Sequence, residues 1–277
     1  MSALFELKKS IQKHLPRQAR DRLQEAIYFI LYKLSPARRL NFFNSGYAPA
    51  APAILAEPQF AREALQATLY QVVIDEMTRD LDGSRAAMLD IGCGLGGGMR
   101  VARMLHPQSR ITGVDVDRAA ARVCRDRFRG DPAISVVSGD GRRLPLDDAA
   151  FDFVFSVGAA SYIRMEDFLP EATRVLRPGG LLTLSVGYTR QDFEGQKSYV
   201  SELAEGAGLA PLRFRDITAH VFAAIAEDAP RRAALISRVP PPFRGYARDW
   251  ADMPGTQRFK EYEDGERLDY AAVFRKL

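Results

Sequence analysis

The string Leu89-Asp90-Ile91-Gly92-Cys93-Gly94-Leu95-Gly96-Gly97-Gly98 constrains the fold more than any other part of this 277-residue chain. It closes a short apolar run, Met88–Ile91, and opens a helical segment over about 97–105. Glycines between a strand and a helix let the backbone turn tightly and let a ligand approach the main chain. From there strands and helices alternate. Strands are predicted at Arg110–Val114, Ile134–Val137, Phe151–Val157 and Leu181–Val186, with helices at Arg118–Phe128 and near 166–176. That rhythm implies parallel pairing and a doubly wound α/β sheet. Segment 220–237 reads as helix, Pro240-Pro241-Pro242 begins an irregular stretch, and Asp269–Phe274 alternates like a terminal strand.

Upstream, residues 3–34 read as two helices, 41–58 as a Pro/Ala-rich loop and 59–80 as another helix. The first forty residues hold nine Lys/Arg against three acids, a charge of +6, although the whole chain carries only +4. A basic balance confined to one segment argues against a nucleic-acid groove, which spreads cations over the fold. The basic helices can instead dock on an anionic membrane, form a solvated face or contribute to a homodimer. The longest apolar run, Ala26–Leu34, is too short to span a bilayer. Two cysteines, Cys93 and Cys124, cannot build a disulfide framework, so a reducing, cytoplasmic compartment is expected. No Cys/His or paired-carboxylate cluster in the sequence suggests a metal site.

Gly92, Gly94 and Gly97 formally satisfy a dinucleotide fingerprint, but Asp90 beside the turn would repel a pyrophosphate. It suits a ligand with an ammonium and a sulfonium. S-adenosylmethionine has both, and its carboxylate can use the free N–H groups at the helix start. Asp115, ending the second strand, can accept both ribose hydroxyls or cap the next helix, where Asp117 is the better cap. Asp140 is placed to meet an adenine amino group or to shape a turn.

The order of the glycine loop, Asp115, Gly139-Asp140, Phe151-Asp152-Phe153-Val154-Phe155-Ser156 and Val175-Leu176-Arg177-Pro178-Gly179-Gly180 resembles the class I S-adenosylmethionine-dependent methyltransferases over about residues 86–187. The resemblance implies a Rossmann-like, seven-stranded, mostly parallel sheet. It also implies N-terminal helices over 1–85 and a helical cap at about 217–257 within a binding domain of 86–277. By it, Asp90, Gly92 and Gly94 contact the methionine end of the cofactor, Asp115 the ribose, and Asp140 with Gly141 the adenine. Gly96, Val116 and Ser156 complete the set. Asn41 to Tyr47 and Asp216-Ile217-Thr218 are similar to the branch holding sterol, tocopherol and phthiotriol methyltransferases. In that branch a tyrosine of the N-terminal loop folds over the cofactor. Tyr47 would take that part, its ring facing the sulfonium, or else pack beneath the N-terminal helices.

Sterol-type enzymes carry an acid after the fourth strand, where this chain reads Val157-Gly158-Ala159-Ala160-Ser161-Tyr162. Carbon methylation is therefore disfavoured, and a hydroxyl acceptor is favoured over nitrogen or carbon. A hydroxyl must lose its proton, often to histidine. Of the three histidines, His14 lies in the basic N-terminal segment and His106 is expected at the surface. His220, in the cap, is the candidate base or a polar residue at a helix start. Tyr162 and Tyr188 follow the fourth and fifth strands and either orient the acceptor or pack as aromatics. Aromatics such as Phe43, Phe222 and Trp250 in the cap suit a polyketide, phenolic or isoprenoid-like acceptor of secondary metabolism. A nicotinamide oxidoreductase and a binding protein without turnover are the competing readings.

Overall fold

The computed structural model describes residues 40–79, 85–189 and 192–277. The helices predicted over 3–34 lie outside them. Seven strands form one sheet: β1 Ala87–Ile91, β2 Arg110–Asp115, β3 Ile134–Ser138, β4 Phe151–Val157, β5 Leu176–Thr189, β6 Leu209–Asp216 and β7 Arg267–Lys276. Their spatial order is β3-β2-β1-β4-β5-β7-β6. The first five run parallel. β7 inserts antiparallel between β5 and β6. The chain moves outward from β1 to β3, then resumes on the other side of β1 with β4. That reversal leaves a crevice at the carboxyl ends of β1 and β4, where doubly wound sheets bind ligands.

Among the described residues, eight helices longer than a single turn flank the sheet: α1 Ala64–Thr78, α2 Gly97–Leu105, α3 Arg118–Arg127, α4 Met165–Val175, α5 Phe193–Gly206, α6 Thr218–Ile236, α7 Arg244–Trp250 and α8 Gln257–Glu263. Strand side chains alternate between faces. Met88, Phe153 and Phe155 therefore meet α1, α2 and the start of α6 on one face. Leu89, Val154 and Leu182 meet α4 and α5 on the other. Phe42, Tyr47 and Ile54 share the first of these cores, so the described part of segment 1–85 packs as one body with the sheet.

Several boundaries differ from the sequence reading, each for a local reason. The helix predicted over 59–80 is split, because Glu63 leaves helical geometry at φ −138°. Its carboxylate accepts the Asn41 backbone N–H at 3.0 Å and the Asn41 amide at 2.8 Å, anchoring the loop. β5 begins at Leu176, before a register shift between Phe151 and Phe153 of β4. β6 has no counterpart among the predicted strands. Pro211 interrupts its pattern and shifts the register, which an edge strand tolerates and a central one does not. The stretch from Pro240 is not irregular: a turn of 3₁₀ helix at Pro241–Phe243 leads into α7, and α8 follows. Proline lacks only an N–H that a first helical turn does not use. His106, expected at the surface, is half-buried where α2 ends.

The loop at 41–50 and helices α6 to α8 form a roof over the carboxyl edge. Arg232 ties its parts together. Its guanidinium donates to Asp228 at 2.9 Å, to the Ser45 carbonyl at 2.7 Å and to the Ala251 carbonyl at 2.8 Å. Burial alone would raise the Asp228 carboxyl; hydrogen bonds from Arg231 and Arg232 outweigh it and hold the group below its usual range.

Candidate active site

β1 delivers the glycine loop to the crevice. Gly92 adopts φ +84°, and a Cβ there would lie 2.1 Å from the Ala159 Cβ, so the loop presses against the turn after β4. The Asp115 carboxylate reaches back from β2 and accepts the Gly94 N–H at 2.8 Å and the Asp117 N–H at 2.9 Å. Burial raises its pKa, and those two backbone hydrogen bonds oppose the rise. Each oxygen keeps a free lone pair, which matches the two hydroxyls of a ribose. Asp117 caps α3 by accepting from Ala119 and Ala120, leaving Asp115 free of that duty. Beside it Val116 is 69% exposed, an apolar surface at the strand tip where a base can stack. Gly141 closes the same side; a Cβ there would meet Ile163 at 2.7 Å.

Asp90 is fully buried, and neither carboxylate oxygen has a hydrogen-bond partner. Burial drives its pKa well above the usual carboxylate range. An orphaned buried acid is costly, and an ammonium donor would relieve it. Asp90, the glycine loop, Asp115 and Val116 thus fit the amino acid, ribose and base of S-adenosylmethionine.

Other predicted cofactor residues stand differently. At Gly96 a Cβ would strike Phe128 and Cys124, so that glycine serves helix packing. Ser156 is fully buried and donates to the Ile91 carbonyl at 2.9 Å, tying β4 to β1. Asp140 is paired with Arg142, whose Nε lies 3.0 Å from Oδ1.

The ring that faces Gly94 is Phe43. It lies 3.5 Å from where a Gly94 Cβ would stand and meets Trp250 edge-on at 5.6 Å. Tyr47, predicted in that role, stacks on His220 at 4.3 Å. Its hydroxyl accepts from Arg215 at 2.7 Å. The structure therefore joins Tyr47 to the candidate base and puts Phe43 over the loop. His220 Nδ1 lies 2.7 Å from the Ala48 carbonyl, which can only accept. That contact places the proton on Nδ1 and leaves Nε2 as an acceptor in the neutral ring. Tyr162 is 76% exposed on the turn after β4. Strand alternation places Tyr188 on the face opposite the roof, against Tyr270. Burial there pushes its phenol up to about 12.

A cluster the sequence reading missed lies under the roof at the start of β7. Gly187 of β5 has no side chain, and the Asp269 carboxylate fills that space. The Tyr262 hydroxyl donates to it at 2.6 Å. Burial lifts Asp269 to about 6 despite Arg267 and Tyr262 beside it. The signal was present in Gly187 opposite a charged residue, but it needs the β5–β7 register to be read.

Fold and site together define a doubly wound α/β protein with a crevice at the switch point of its sheet whose residues fit a nucleoside. The methyltransferase domain family matches residues 89–184. The chain is 35% identical over 190 residues to the phthiotriol/phenolphthiotriol dimycocerosates methyltransferase of Mycobacterium tuberculosis, covering 68% of this chain and 67% of that one. It is 28% identical to the fatty-acid O-methyltransferase of Mycolicibacterium smegmatis, over 95% of this chain and 92% of that one. Among solved structures, geranyl diphosphate C-methyltransferase from Streptomyces coelicolor A3(2), determined with S-adenosylhomocysteine, superposes with a TM-score of 0.61 at 19% identity. It covers 84% of this chain and 87% of that one. The chain belongs to the class I S-adenosylmethionine-dependent methyltransferases. It is an enzyme of that family.

Proposed function

We propose that the protein transfers a methyl group to an oxygen of a hydrophobic, lipid-like small molecule, as part of secondary metabolism. The observation that carries this reading is the aromatic roof, Phe43 against Trp250, set directly over Gly94. A second aromatic group, Phe222 stacked on Tyr262 at 5.3 Å, extends it toward β7. Such walls suit an apolar acceptor. Both relatives described above are named for lipid substrates, and the one matching nearly the full length is named for oxygen methylation. No carboxylate follows β4 to steer a carbocation, which favours a heteroatom acceptor over an alkene.

S-adenosylmethionine, when bound, supplies a methyl on a sulfonium. Asp115 would hold the ribose, Val116 would flank the base, and Asp90 would face the amino acid end. The roof excludes water and aligns the acceptor; positioning of this kind supplies about 7–11 kcal/mol of the barrier. His220 Nε2, left as an acceptor by the Ala48 contact, would take the proton of an acceptor hydroxyl.

The test is turnover of the full-length protein with S-adenosylmethionine and three acceptor sets: long-chain alcohols and phenols, fatty acids, and amines. Methyl ethers or esters identified by mass spectrometry are the expected products. His220→Gln should lower kcat on hydroxyl acceptors roughly 100-fold or more and leave S-adenosylhomocysteine affinity within threefold. Methylation of amines alone would overturn the reading.

A further inference from the structure

α2, α3 and the residues just after α3 border an open cleft of about 470 Å³. That lies in the roughly 300–1,000 Å³ range of small-molecule sites. Its wall carries Arg100, Arg103, Arg127 and Arg129 with Gln59, against one lining carboxylate, Asp131. Three of the cations have acidic neighbours: Arg103 lies 3.3 Å from Asp131, Arg129 lies 2.8 Å from Asp126, and the Glu63 carboxylate favours the charged form of Arg127. Arg129 and Asp126 are both exposed, so that pair adds little energy and yields to a stronger acceptor, whereas Arg103 and Asp131 are half-buried. Arg100 instead leans over the Phe128 ring at 5.4 Å and donates to the Gln59 amide oxygen at 3.4 Å. Neither partner carries a negative charge. Arg127 donates to the Leu95 carbonyl at 2.9 Å. Burial and then the neighbouring Arg100 hold its guanidinium below the usual range.

A single carboxylate offers one edge to one guanidinium fork. A multiply charged tetrahedral oxyanion offers several, and converging arginines match it. We propose that this cleft binds a phosphate-bearing anion at a site separate from the cofactor pocket. The two sites share a wall. Arg127 holds the carbonyl of Leu95 inside the cofactor loop, and the Phe128 ring occupies the space beside Gly96. The anion can come from a soluble phosphate compound or from a phospholipid headgroup. The proposal is independent of the acceptor reading above.

The test uses the full-length protein saturated with S-adenosylhomocysteine, which closes the cofactor pocket to competing anions. One arm titrates inorganic pyrophosphate by calorimetry at low ionic strength. The other sediments the protein with vesicles of phosphatidylglycerol in phosphatidylcholine, against phosphatidylcholine alone. Arg127 is left intact because it supports the loop. The variant is Arg100→Gln with Arg129→Gln; Arg129 is 82% exposed, so the fold tolerates its loss. A control of equal charge, Lys197→Gln with Arg238→Gln, removes two exposed cations elsewhere. The expected result is binding in at least one arm, weakened tenfold or more by the cleft variant, restored by Arg100→Lys with Arg129→Lys, and unchanged in the control. The arm that responds names the source. Absence of binding in both arms, equal loss in the control, or abolition by S-adenosylhomocysteine would overturn the proposal.

Discussion

Replacing Asp115 tests the cofactor site at its best-anchored point. The carboxylate accepts two backbone N–H groups, from Gly94 and Asp117, and presents its remaining lone pairs to the crevice. Two ribose hydroxyls bonded to a charged acceptor contribute about 1.5–3 kcal/mol each, or about 3–6 kcal/mol together. At 1.4 kcal/mol per decade, Asp115→Ala should therefore weaken S-adenosylhomocysteine binding by about 10² to 10⁴-fold. Asp115→Asn is less simple than its shape suggests. Its amide nitrogen must face either the Gly94 or the Asp117 N–H, donor against donor, so the loop loses an anchor as well as a charge. Calorimetric titration at 25 °C gives the affinities, and thermal unfolding without ligand reports whether the loop still folds. A folded Asp115→Ala protein that binds within threefold of the parent would refute the assignment of Asp115 to the ribose.

Two further perturbations have signs fixed by the structure. Asp269 titrates near 6 in the fold, above about 3.9 for an unfolded aspartate. The fold thus favours its protonated form; that stabilisation is full below pH 4 and is lost as the pH rises through 6. The difference is worth about 3 kcal/mol. Urea titrations from pH 4 to 8 should show this loss in the parent and not in Asp269→Asn, and parallel profiles would count against it. Gly98→Ala sets helix propensity, favourable by about 1 kcal/mol, against a Cβ that would sit 2.1 Å from the buried Tyr70 ring. Tyr70 has no room to move, so overpacking of about 1–3 kcal/mol or more should prevail and lower the melting temperature; an unchanged or higher value would show that Tyr70 can shift.

The parallel half of this protein was legible because its signals are local. A strand, a glycine turn and a helix occupy adjacent residues, and Asp90, Asp115 and Asp140 sit at strand ends that periodicity alone locates. The antiparallel half was not. β6 carries Pro211 and alternates imperfectly because its outer edge has no partner strand to satisfy. The face that Tyr188 takes depends on register, since a shift of one residue moves a side chain to the opposite face. Phe43 and Tyr47 are four residues apart in one loop, and only the tertiary partners, Trp250 for one and His220 with Arg215 for the other, decide which ring covers Gly94. The Asp269 cluster joins residues from β5, α8 and β7, a conjunction no local pattern encodes.

The placement of β7 sets an order on the folding of this chain. β6 is synthesised some fifty residues before β7, yet β7 is its sole neighbour in the sheet. As the chain emerges from the ribosome, β1 to β5 can assemble in sequence, but β6 has no edge to join. Its N–H and C=O groups, and the roof helices that hang from its end, must wait for residues 267–276. A nascent chain stalled before Arg267 would therefore present a half-sheet with an open β5 edge, the kind of surface that chaperones cover and that other strands can capture. β7, made after the other six strands of this sheet, is the one that commits the roof to its final shape.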